Sequence, residues 1–306
     1  MSDQDTPPLK PAKSPKPPSH LSRVGTDAVR QAFRRDRAAA MEDQLARRRE
    51  LADAMAGEAA LLVPRDHGYA IIPRHTFDFT AGIDAAQDLV SRADMAQRKA
   101  EANKAFMVKV AEKNDLTLQS PLLQLALRRD LVAIVARYLS MVPVLEYANV
   151  FYSSLAGSEL AKSQLYHCDS DEAEQLKLFV VCEEVTSEGG PLTFISAADS
   201  ERVRDRVEYR YNTRLTDEQV REALGGCLQE IALTGPTGTA ALIDTSRCFH
   251  YGSRFRDASS RRIVIMLQYV TPLAFLYSAS FRTSARFRHL VPSDADEVTR
   301  LILGAA

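Results

Sequence analysis

The sequence predicts an α+β fold in which a helical N-terminal half packs on strands arranged as a sandwich or barrel. Residues before Pro143 carry mainly helical periodicity, with one short strand-like run. Residues after Pro143 form short runs rich in Val, Ile, Phe and Tyr, several of them bounded by Gly, Pro or Ser. No internal repeat is apparent. Helices followed by many short strands are typical of the α+β class.

Length and charge narrow the class of protein. The chain of 306 residues can bury the core of one large domain or of two small ones. It carries 39 basic and 40 acidic residues, so its formal net charge is −1. This balance gives no global field that would favour nucleic acid or an anionic membrane as a partner.

Cysteine usage and hydropathy predict a cytoplasmic protein. The four cysteines form no CxxC pair, and free thiols of this kind are typical of a reducing compartment. The N-terminus is polar and lacks the apolar segment of a signal peptide. No run of about 18 apolar residues suggests a membrane span.

The N-terminal region divides into two segments ahead of a single domain over 63–306. Residues 1–22 are rich in Pro, Lys and Ser, and we expect a disordered tail. Residues 23–62 contain an Ala- and Arg-rich stretch that is helical by propensity from Thr26 to about Ala60. Its arginines could dock a partner or nucleic acid, but interleaved acidic residues favour a solvated face. These arginines are Arg34, Arg35, Arg37, Arg47, Arg48 and Arg49, and the acids are Asp36, Glu42 and Asp43.

The first part of the domain is predicted to hold one strand and two helices. The run GYAIIP (68–73) reads as the strand, and helical periodicity follows over about 84–111 and 120–140. Ser120 is expected to cap the second helix, because Pro121 after it suits the first helical position.

Short strands dominate the rest of the domain, with one helical insertion at about 199–226. Thr216 and Gln219 have the spacing of a capping box, which predicts a helix start within the insertion. The insertion could form a lid or merely a packing segment. The predicted strands are PVLEYANVFYS, SQLYHCD, KLFVVCEEV, GPLTFIS, CLQEIAL, TAALID and RRIVIMLQYV.

A histidine and an aspartate are candidates for metal binding at the end of one predicted strand. Of the six histidines, only His167 has an acidic residue two places later, Asp169. Side chains alternate along a strand, so these two would point the same way and Cys168 the other way. An imidazole beside a carboxylate supplies two-thirds of the facial triad that binds iron(II).

His250 is the best candidate for the third ligand. It follows the predicted strand TAALID, which is itself preceded by a Gly- and Pro-rich turn. The other histidines fit less well, since they lie in the tail, beside the first strand, or after the last strand. They are His20, His67, His75 and His289.

Arg261 is the candidate for holding a carboxylate of a dicarboxylate co-substrate. A planar guanidinium donates paired hydrogen bonds to a carboxylate, and Arg261 opens the strand RRIVIMLQYV, 11 residues after His250. Arg262 is expected to point to the opposite face. Gln164, Tyr152 and Lys177 are further candidates for contacting the co-substrate, because they lie on strands near the motif. Ordinary structural roles are equally compatible with these three.

Together these residues resemble the phytanoyl-CoA dioxygenase-like family of iron(II)/2-oxoglutarate oxygenases. The resemblance lies in the order His-x-Asp, strand, Gly-Gly-Pro-Leu, strand, distal His and Arg, and it covers roughly residues 68 to 275. The matching stretches are SQLYHCD (163–169), KLFVVCEEVTSEGGPLTFI (177–195), GTAALIDTSRCFHYGS (238–253) and RRIVIMLQY (261–269).

The resemblance implies a double-stranded β-helix core of the jelly-roll or cupin-like kind. It also implies iron(II) bound by His167, Asp169 and His250, with Arg261 on the distal carboxylate of 2-oxoglutarate. With dioxygen as second co-substrate, such enzymes hydroxylate an unactivated C–H bond of a small organic molecule and release succinate and carbon dioxide. The retained Asp169 favours hydroxylation, because related halogenases lack the carboxylate.

The chain departs from the family pattern at two places. The family often has Gly-Ser directly after the distal His, where the hydroxyl assists the arginine. Here Tyr251 precedes Gly252 and Ser253, so Ser253 is a candidate for this role and the assisting hydroxyl stays open. The segment FISAADS replaces the usual Gly-Ser-His, so an acyl-CoA substrate is not implied.

A rival hypothesis keeps the metal and the barrel without the oxidation. A non-catalytic or non-oxidative cupin-like protein, such as a sensor, scaffold or isomerase, would use the same three ligands. It predicts that 2-oxoglutarate gives no thermal stabilisation.

Overall fold

The structure is a computed structural model that describes residues 25–157, 159–277 and 284–305. The predicted tail, 1–22, lies outside the described residues. The helices are α1 Asp27–Ala39, α2 Glu42–Ala54, α3 Thr80–Arg92, α4 Met95–Glu101, α5 Pro121–Ala126, α6 Arg129–Leu139, α7 Ala197–Arg206, α8 Asp217–Ala223 and α9 Glu297–Ile302. The strands are β1 Tyr69–Ile72, β2 Met107–Lys109, β3 Val144–Ser154, β4 Leu176–Val181, β5 Thr193–Phe194, β6 Ile231–Ala232, β7 Ala240–Ile243, β8 His250–Tyr251 and β9 Arg261–Val270.

The strands form two antiparallel sheets of a double-stranded β-helix. The larger sheet has the order β1-β7-β4-β9-β3-β2, and the smaller has the order β6-β5-β8. Strands that are distant in sequence are therefore neighbours, as in a jelly roll. The α+β fold with a jelly-roll core is confirmed.

Alternation along the large sheet separates the hydrophobic core from the pocket. On β4, Leu176, Leu178 and Val180 are fully buried in a core shared with the N-terminal helices. The residues between them, such as Lys177 and Phe179, face the opposite side and line a cavity. The sheet thus supports the helical half on one face and the pocket on the other.

The three helical stretches predicted before β3 are each divided in the structure, and the one predicted over 120–140 forms α5 and α6. The stretch from Thr26 to Ala60 is broken at Ala40 and Met41 into α1 and α2, so that Leu45 of α2 can pack on Met141. The helix predicted over 84–111 divides into α3 and α4, and its last residues form β2, which pairs with β3. Pairing with a distant strand leaves no signal in local periodicity.

Helix starts were predicted more accurately than helix ends. Ser120 caps α5 by accepting the N–H of Leu123 at 3.4 Å. Thr216 and Gln219 form the expected capping box at the start of α8. Both caps are local, which is why the sequence reveals them.

The predicted solvated face of the N-terminal helices is wrong for two arginines. Arg48 is buried and donates to the carbonyls of Val142, Pro143 and Leu301. Arg37 donates to backbone carbonyls at 3.2 and 3.1 Å.

No helix in the described ranges has both the length and the apolar character needed to cross a bilayer.

Candidate metal centre

The two histidines predicted as ligands are backbone partners. The N–H of His167 donates to the carbonyl of His250 at 3.1 Å, and the N–H of His250 donates back at 3.0 Å. This reciprocal pair places the ring centroids 4.3 Å apart. The predicted strand SQLYHCD is reduced to single bridges at Tyr166 and His167, yet its extended backbone still turns Cys168 to the other side. The prediction that His167 and Asp169 share a face is confirmed.

His167, Asp169 and His250 converge on one point of the pocket. Their ligand atoms all lie within 4.8 Å of one another. Nε2 of His167 is 4.0 Å from Oδ1 of Asp169, and Nε2 of His250 is 3.8 Å from Oδ2. Two imidazoles and one carboxylate on one side of an open cavity are the donor set typical of non-haem iron(II) sites. The residues present therefore fit an iron(II) ion.

Both rings are held in the form that binds a metal. Nδ1 of His167 lies 2.9 Å from the carbonyl of Leu165, and Nδ1 of His250 lies 3.0 Å from that of Cys248. A proton on Nδ1 satisfies these carbonyls and leaves the lone pair of each Nε2 free. Burial lowers the pKa of both histidines, so that neutral imidazole is the favoured state.

Lys177 and Gln175 hold the carboxylate ligand. Nζ of Lys177 donates to Oδ2 of Asp169 at 2.6 Å, and Nε2 of Gln175 reaches the same oxygen at 3.3 Å. Burial alone would raise the pKa of Asp169, but Lys177, His250 and His167 together outweigh it and hold that pKa well below its usual range. Lys177, predicted to contact the co-substrate, thus contacts a metal ligand in this structure.

The prediction for the two adjacent arginines is wrong, because their orientations are reversed. Arg261 lies on the outer face, where its guanidinium pairs with Glu183. Arg262 is buried and lines the cavity. In the ladder Arg262 lies opposite Ser153, whose hydroxyl lies 3.5 Å from the guanidinium. Alternation of neighbours was predicted correctly, but the face of each residue was not.

The guanidinium of Arg262 donates hydrogen bonds to neutral acceptors. It donates to the hydroxyl of Ser253 at 3.1 Å, to that of Ser153 at 3.5 Å, and to the carbonyl of Gly190. Gly252 leaves room for the guanidinium, since a Cβ there would lie 3.3 Å from one of its nitrogens. Burial lowers the pKa of Arg262 to about 10. Within the described ranges Arg262 has no carboxylate partner.

Three of the remaining candidates have distinct positions. Ser253 lines the pocket beside Arg262, as expected for an assisting hydroxyl. Gln164 is buried behind the pocket and donates to the carbonyl of Ser253 at 2.8 Å, so it positions this loop. Tyr152 lies on the other face of β3, packed against the hydrophobic core, and the prediction that it reaches the co-substrate is wrong. Tyr152 and Arg261 were both expected to face the pocket, and in each case it is the next residue of the strand that does so.

The cavity that joins these residues has a volume of about 730 Å³. Arg262 and Ser253 lie at one end, and the three metal-ligand candidates lie along the wall. Apolar side chains line the path between them, among them Phe179, Val181, Val264 and Met266. A pocket of this size, with few convergent polar groups, suits a small organic molecule.

The helical insertion, 199–226, lies behind the metal centre. Its apolar residues pack with Cys168 and Phe249, which point away from the cavity. No residue of the insertion lines the described cavity. The packing role is therefore supported, and the lid role is not.

Sequence reasoning missed Ser153, the carbonyl of Gly190 and the true position of Arg262. Register alone brings Ser153 and Arg262 together, and a single sequence carries no register. The Arg-Arg pair itself was the only available signal, because one of two strand neighbours must face inward.

Comparison with known proteins gives structural similarities only. No family model matches the chain, and no curated protein matches its sequence. EctD from S. alaskensis, solved with 2-oxoglutarate and 5-hydroxyectoine, is similar at 18% identity over 79% of this chain and 87% of that chain, with a TM-score of 0.49. The epimerase SnoN, solved with Fe3+, alpha ketoglutarate and nogalamycin RO, is similar at 16% identity over 81% and 93%, with a TM-score of 0.48. HygX from Streptomyces hygroscopicus, solved with nickel, 2-oxoglutarate and hygromycin B, is similar at 14% identity over 68% and 84%, with a TM-score of 0.44.

Proposed function

We propose that the protein is an iron(II)/2-oxoglutarate-dependent dioxygenase of the phytanoyl-CoA dioxygenase-like kind, which hydroxylates an unactivated C–H bond of a small organic molecule. One observation carries the proposal. The triad of His167, Asp169 and His250 shares a cavity with a buried guanidinium, that of Arg262, which has no carboxylate partner within the described ranges.

The burial of the Arg262 guanidinium indicates that an anionic ligand binds beside it. A buried cation costs free energy unless an anion compensates it, and Nε of Arg262 makes no hydrogen bond to the described residues. A carboxylate that entered this end of the cavity would accept paired hydrogen bonds from the guanidinium. The other end of the same ligand would then reach the metal centre, as a short dicarboxylate with a keto acid end requires.

Each residue of the site would have a distinct role. Arg262 would hold the distal carboxylate of 2-oxoglutarate, and Ser253 would orient the guanidinium. His167, Asp169 and His250 would hold iron(II), which when bound supplies the activation of dioxygen that couples decarboxylation to succinate with oxidation of the substrate. The apolar wall, which includes Val264, would keep water from the reacting atoms.

The retained carboxylate favours hydroxylation as the outcome. The resemblance implies that related halogenases lack this carboxylate, whereas Asp169 is present here and Lys177 helps to keep it ionised and in place. Hydroxylation is therefore the proposed reaction.

The test is an anaerobic titration of the protein with iron(II) and 2-oxoglutarate, followed by measurement of succinate after oxygen is admitted. We expect a charge-transfer absorption when both are bound, and its loss in His167→Ala. The exposed His67, which lies outside the cavity, provides the matched control His67→Ala. Iron binding that persists in His167→Ala would contradict the proposal. Iron binding without any effect of 2-oxoglutarate would favour the non-oxidative cupin-like alternative.

A further inference from the structure

The geometry of the pocket mouth points to the substrate class: we propose that the substrate is an elongated organic anion. Its carboxylate or phosphate head would bind between Lys109 and Arg286, beside the hydroxyl of Tyr147. This inference rests on the proposed function, because it places the head at the end of the cavity opposite Arg262.

Two cations flank one aromatic ring at this end of the cavity. Nζ of Lys109 lies 4.9 Å from the centroid of the Tyr147 ring, and Cζ of Arg286 lies 5.1 Å from it. Arg286 donates to the backbone carbonyl of Glu146 at 3.2 Å. Neither cation is paired with a carboxylate in the part of the chain that the structure describes. Two cations beside one ring, neither of them paired with a described carboxylate, can share one bound anion.

The hydroxyl of Tyr147 is a buried donor without an acceptor. Tyr147 is only 9% exposed, and its hydroxyl makes no hydrogen bond to the described residues. Burial raises the pKa of Tyr147, so the proton stays on the hydroxyl. Buried hydroxyl groups are rarely left unpaired, and an oxyanion in the cavity would satisfy this one.

The acidic residues at the same end are engaged by other groups of the chain. Glu146 accepts the hydroxyl of Tyr277 at 2.8 Å, and Asp171 accepts Nε2 of Gln268 at 3.3 Å. A cationic head would compete with these contacts, whereas an anionic head meets two cations without a described carboxylate partner and the hydroxyl of Tyr147.

The register of β3, β9 and β4 gives an expected length for the substrate. Tyr147, Gln268 and Lys177 lie side by side on β3, β9 and β4, and Lys177 contacts the metal ligand Asp169. Two strand spacings separate Tyr147 from Lys177, which is about 10 Å. Apolar side chains, including Phe151 and Met266, line this face of the sheet. The expected substrate thus has a body about 10 Å long between its anionic head and the oxidised carbon.

The test uses four ligands of one chain length and different heads. Octanoate, octyl phosphate, 1-octanol and octylamine are titrated calorimetrically into anaerobic protein loaded with iron(II) and 2-oxoglutarate. We expect at least one anion to bind about tenfold more tightly than 1-octanol, and octylamine to bind most weakly. The tighter anion identifies the head as carboxylate or phosphate.

Three variants locate the head. The double variant Lys109→Gln with Arg286→Gln should lose the preference for anions. Arg98→Gln is the matched control, because Arg98 lines the same rim but is paired with Glu112 at 2.8 Å. Tyr147→Phe should weaken anion binding several-fold without lowering Tm, since the hydroxyl has no partner to lose among the described residues.

Two results would overturn the inference. One is equal affinity of the wild-type protein for octanoate, octyl phosphate and 1-octanol. The other is a loss of anion preference in Arg98→Gln that equals the loss in the double variant. Absence of the charge-transfer absorption would instead contradict the proposed function, and the preference for anions would still be measured on the protein alone.

Discussion

Nζ of Lys177 lies 2.6 Å from Oδ2 of Asp169, so one oxygen of the carboxylate is held by the protein and the other is left for a metal ion. The contact joins β4 to the aspartate of the His-x-Asp motif. Hydrogen bonds of this kind orient a ligand before the metal arrives, and they often matter nearly as much as the ligand itself.

Lys177→Met is expected to weaken iron(II) binding by roughly 10- to 100-fold, because Asp169 loses the group that orients it and keeps it ionised. The measurement is an anaerobic iron(II) titration. Lys104→Met is the control, since Lys104 lines the same cavity but donates to Ser163. Equal losses in both variants would show that Lys177 acts only through the general positive charge of the pocket.

Arg262→Gln is expected to raise the Kd for 2-oxoglutarate by about 100-fold, because it removes both the charge and the paired donors for the distal carboxylate. Arg261→Gln, one residue away, should change that Kd by less than about twofold, because its partner is Glu183 on the outer face. The Kd is measured from the charge-transfer absorption at increasing 2-oxoglutarate. A larger effect at Arg261 would restore the orientation that the sequence predicted.

Arg48→Ala is expected to lower the free energy of unfolding by about 2–4 kcal/mol. The buried guanidinium satisfies three backbone carbonyls that join α2 to the start of β3 and to α9. The control is Arg49→Ala, whose guanidinium pairs with Glu42 in solvent and should contribute less than about 0.5 kcal/mol. Urea denaturation of the two variants gives the comparison, and similar midpoints would contradict the structural role of Arg48.

The metal ligands could be predicted because their signal is local. His167 and Asp169 are two residues apart, so any extended backbone turns them the same way. His250 was chosen because it follows the predicted strand TAALID, whereas the other histidines lie in the tail, beside the first strand or after the last strand. The structure adds the reciprocal backbone pair between His167 and His250, which no single sequence reveals.

The sequence could not predict which face of the sheet each strand residue points to, and the reason is physical. A shift of one residue in register turns every side chain of a strand to the other face. The order of Arg261 and Arg262 therefore depends on how β9 pairs with β3, and Tyr152 on β3 shares that uncertainty. Charge did not help, because an arginine is compatible both with a surface ion pair and with a buried anion site.

The arginines of the N-terminal helices show a second limit of sequence patterns. Arg48 and Arg49 are adjacent and identical in type, yet one is buried on carbonyls and the other pairs with Glu42 in solvent. Interleaved acids indicated a solvated face, and Arg49 does lie there, paired with Glu42. They said nothing about carbonyl groups at the ends of distant elements, which become acceptors only after packing.

Asp244 is a buried carboxyl group next to the segment that carries His250. Oδ2 accepts the hydroxyl of Tyr138 at 2.9 Å, and Oδ1 accepts the N–H groups of Ser246 and Arg247 at 3.1 Å each. Burial raises the pKa of Asp244 to about 7, and the charge of Arg247 only partly opposes it. In the native state Asp244 therefore keeps its proton up to a higher pH than it does in the unfolded chain.

This difference makes the wild-type protein less stable as the pH rises from about 4 to about 7, because over that range the unfolded state binds fewer protons than the native state. Asp244→Asn keeps an oxygen acceptor for Ser246 and Arg247 but cannot ionise. Its altered contact with Tyr138 costs the same free energy at every pH. We therefore expect the stability of the wild-type protein relative to Asp244→Asn to fall by up to about 4 kcal/mol between pH 4 and pH 8, as measured by urea denaturation at each pH. A difference that stays constant across this range would mean that Asp244 has the same pKa in the folded and unfolded protein, and that its role is confined to the hydrogen bonds of the turn.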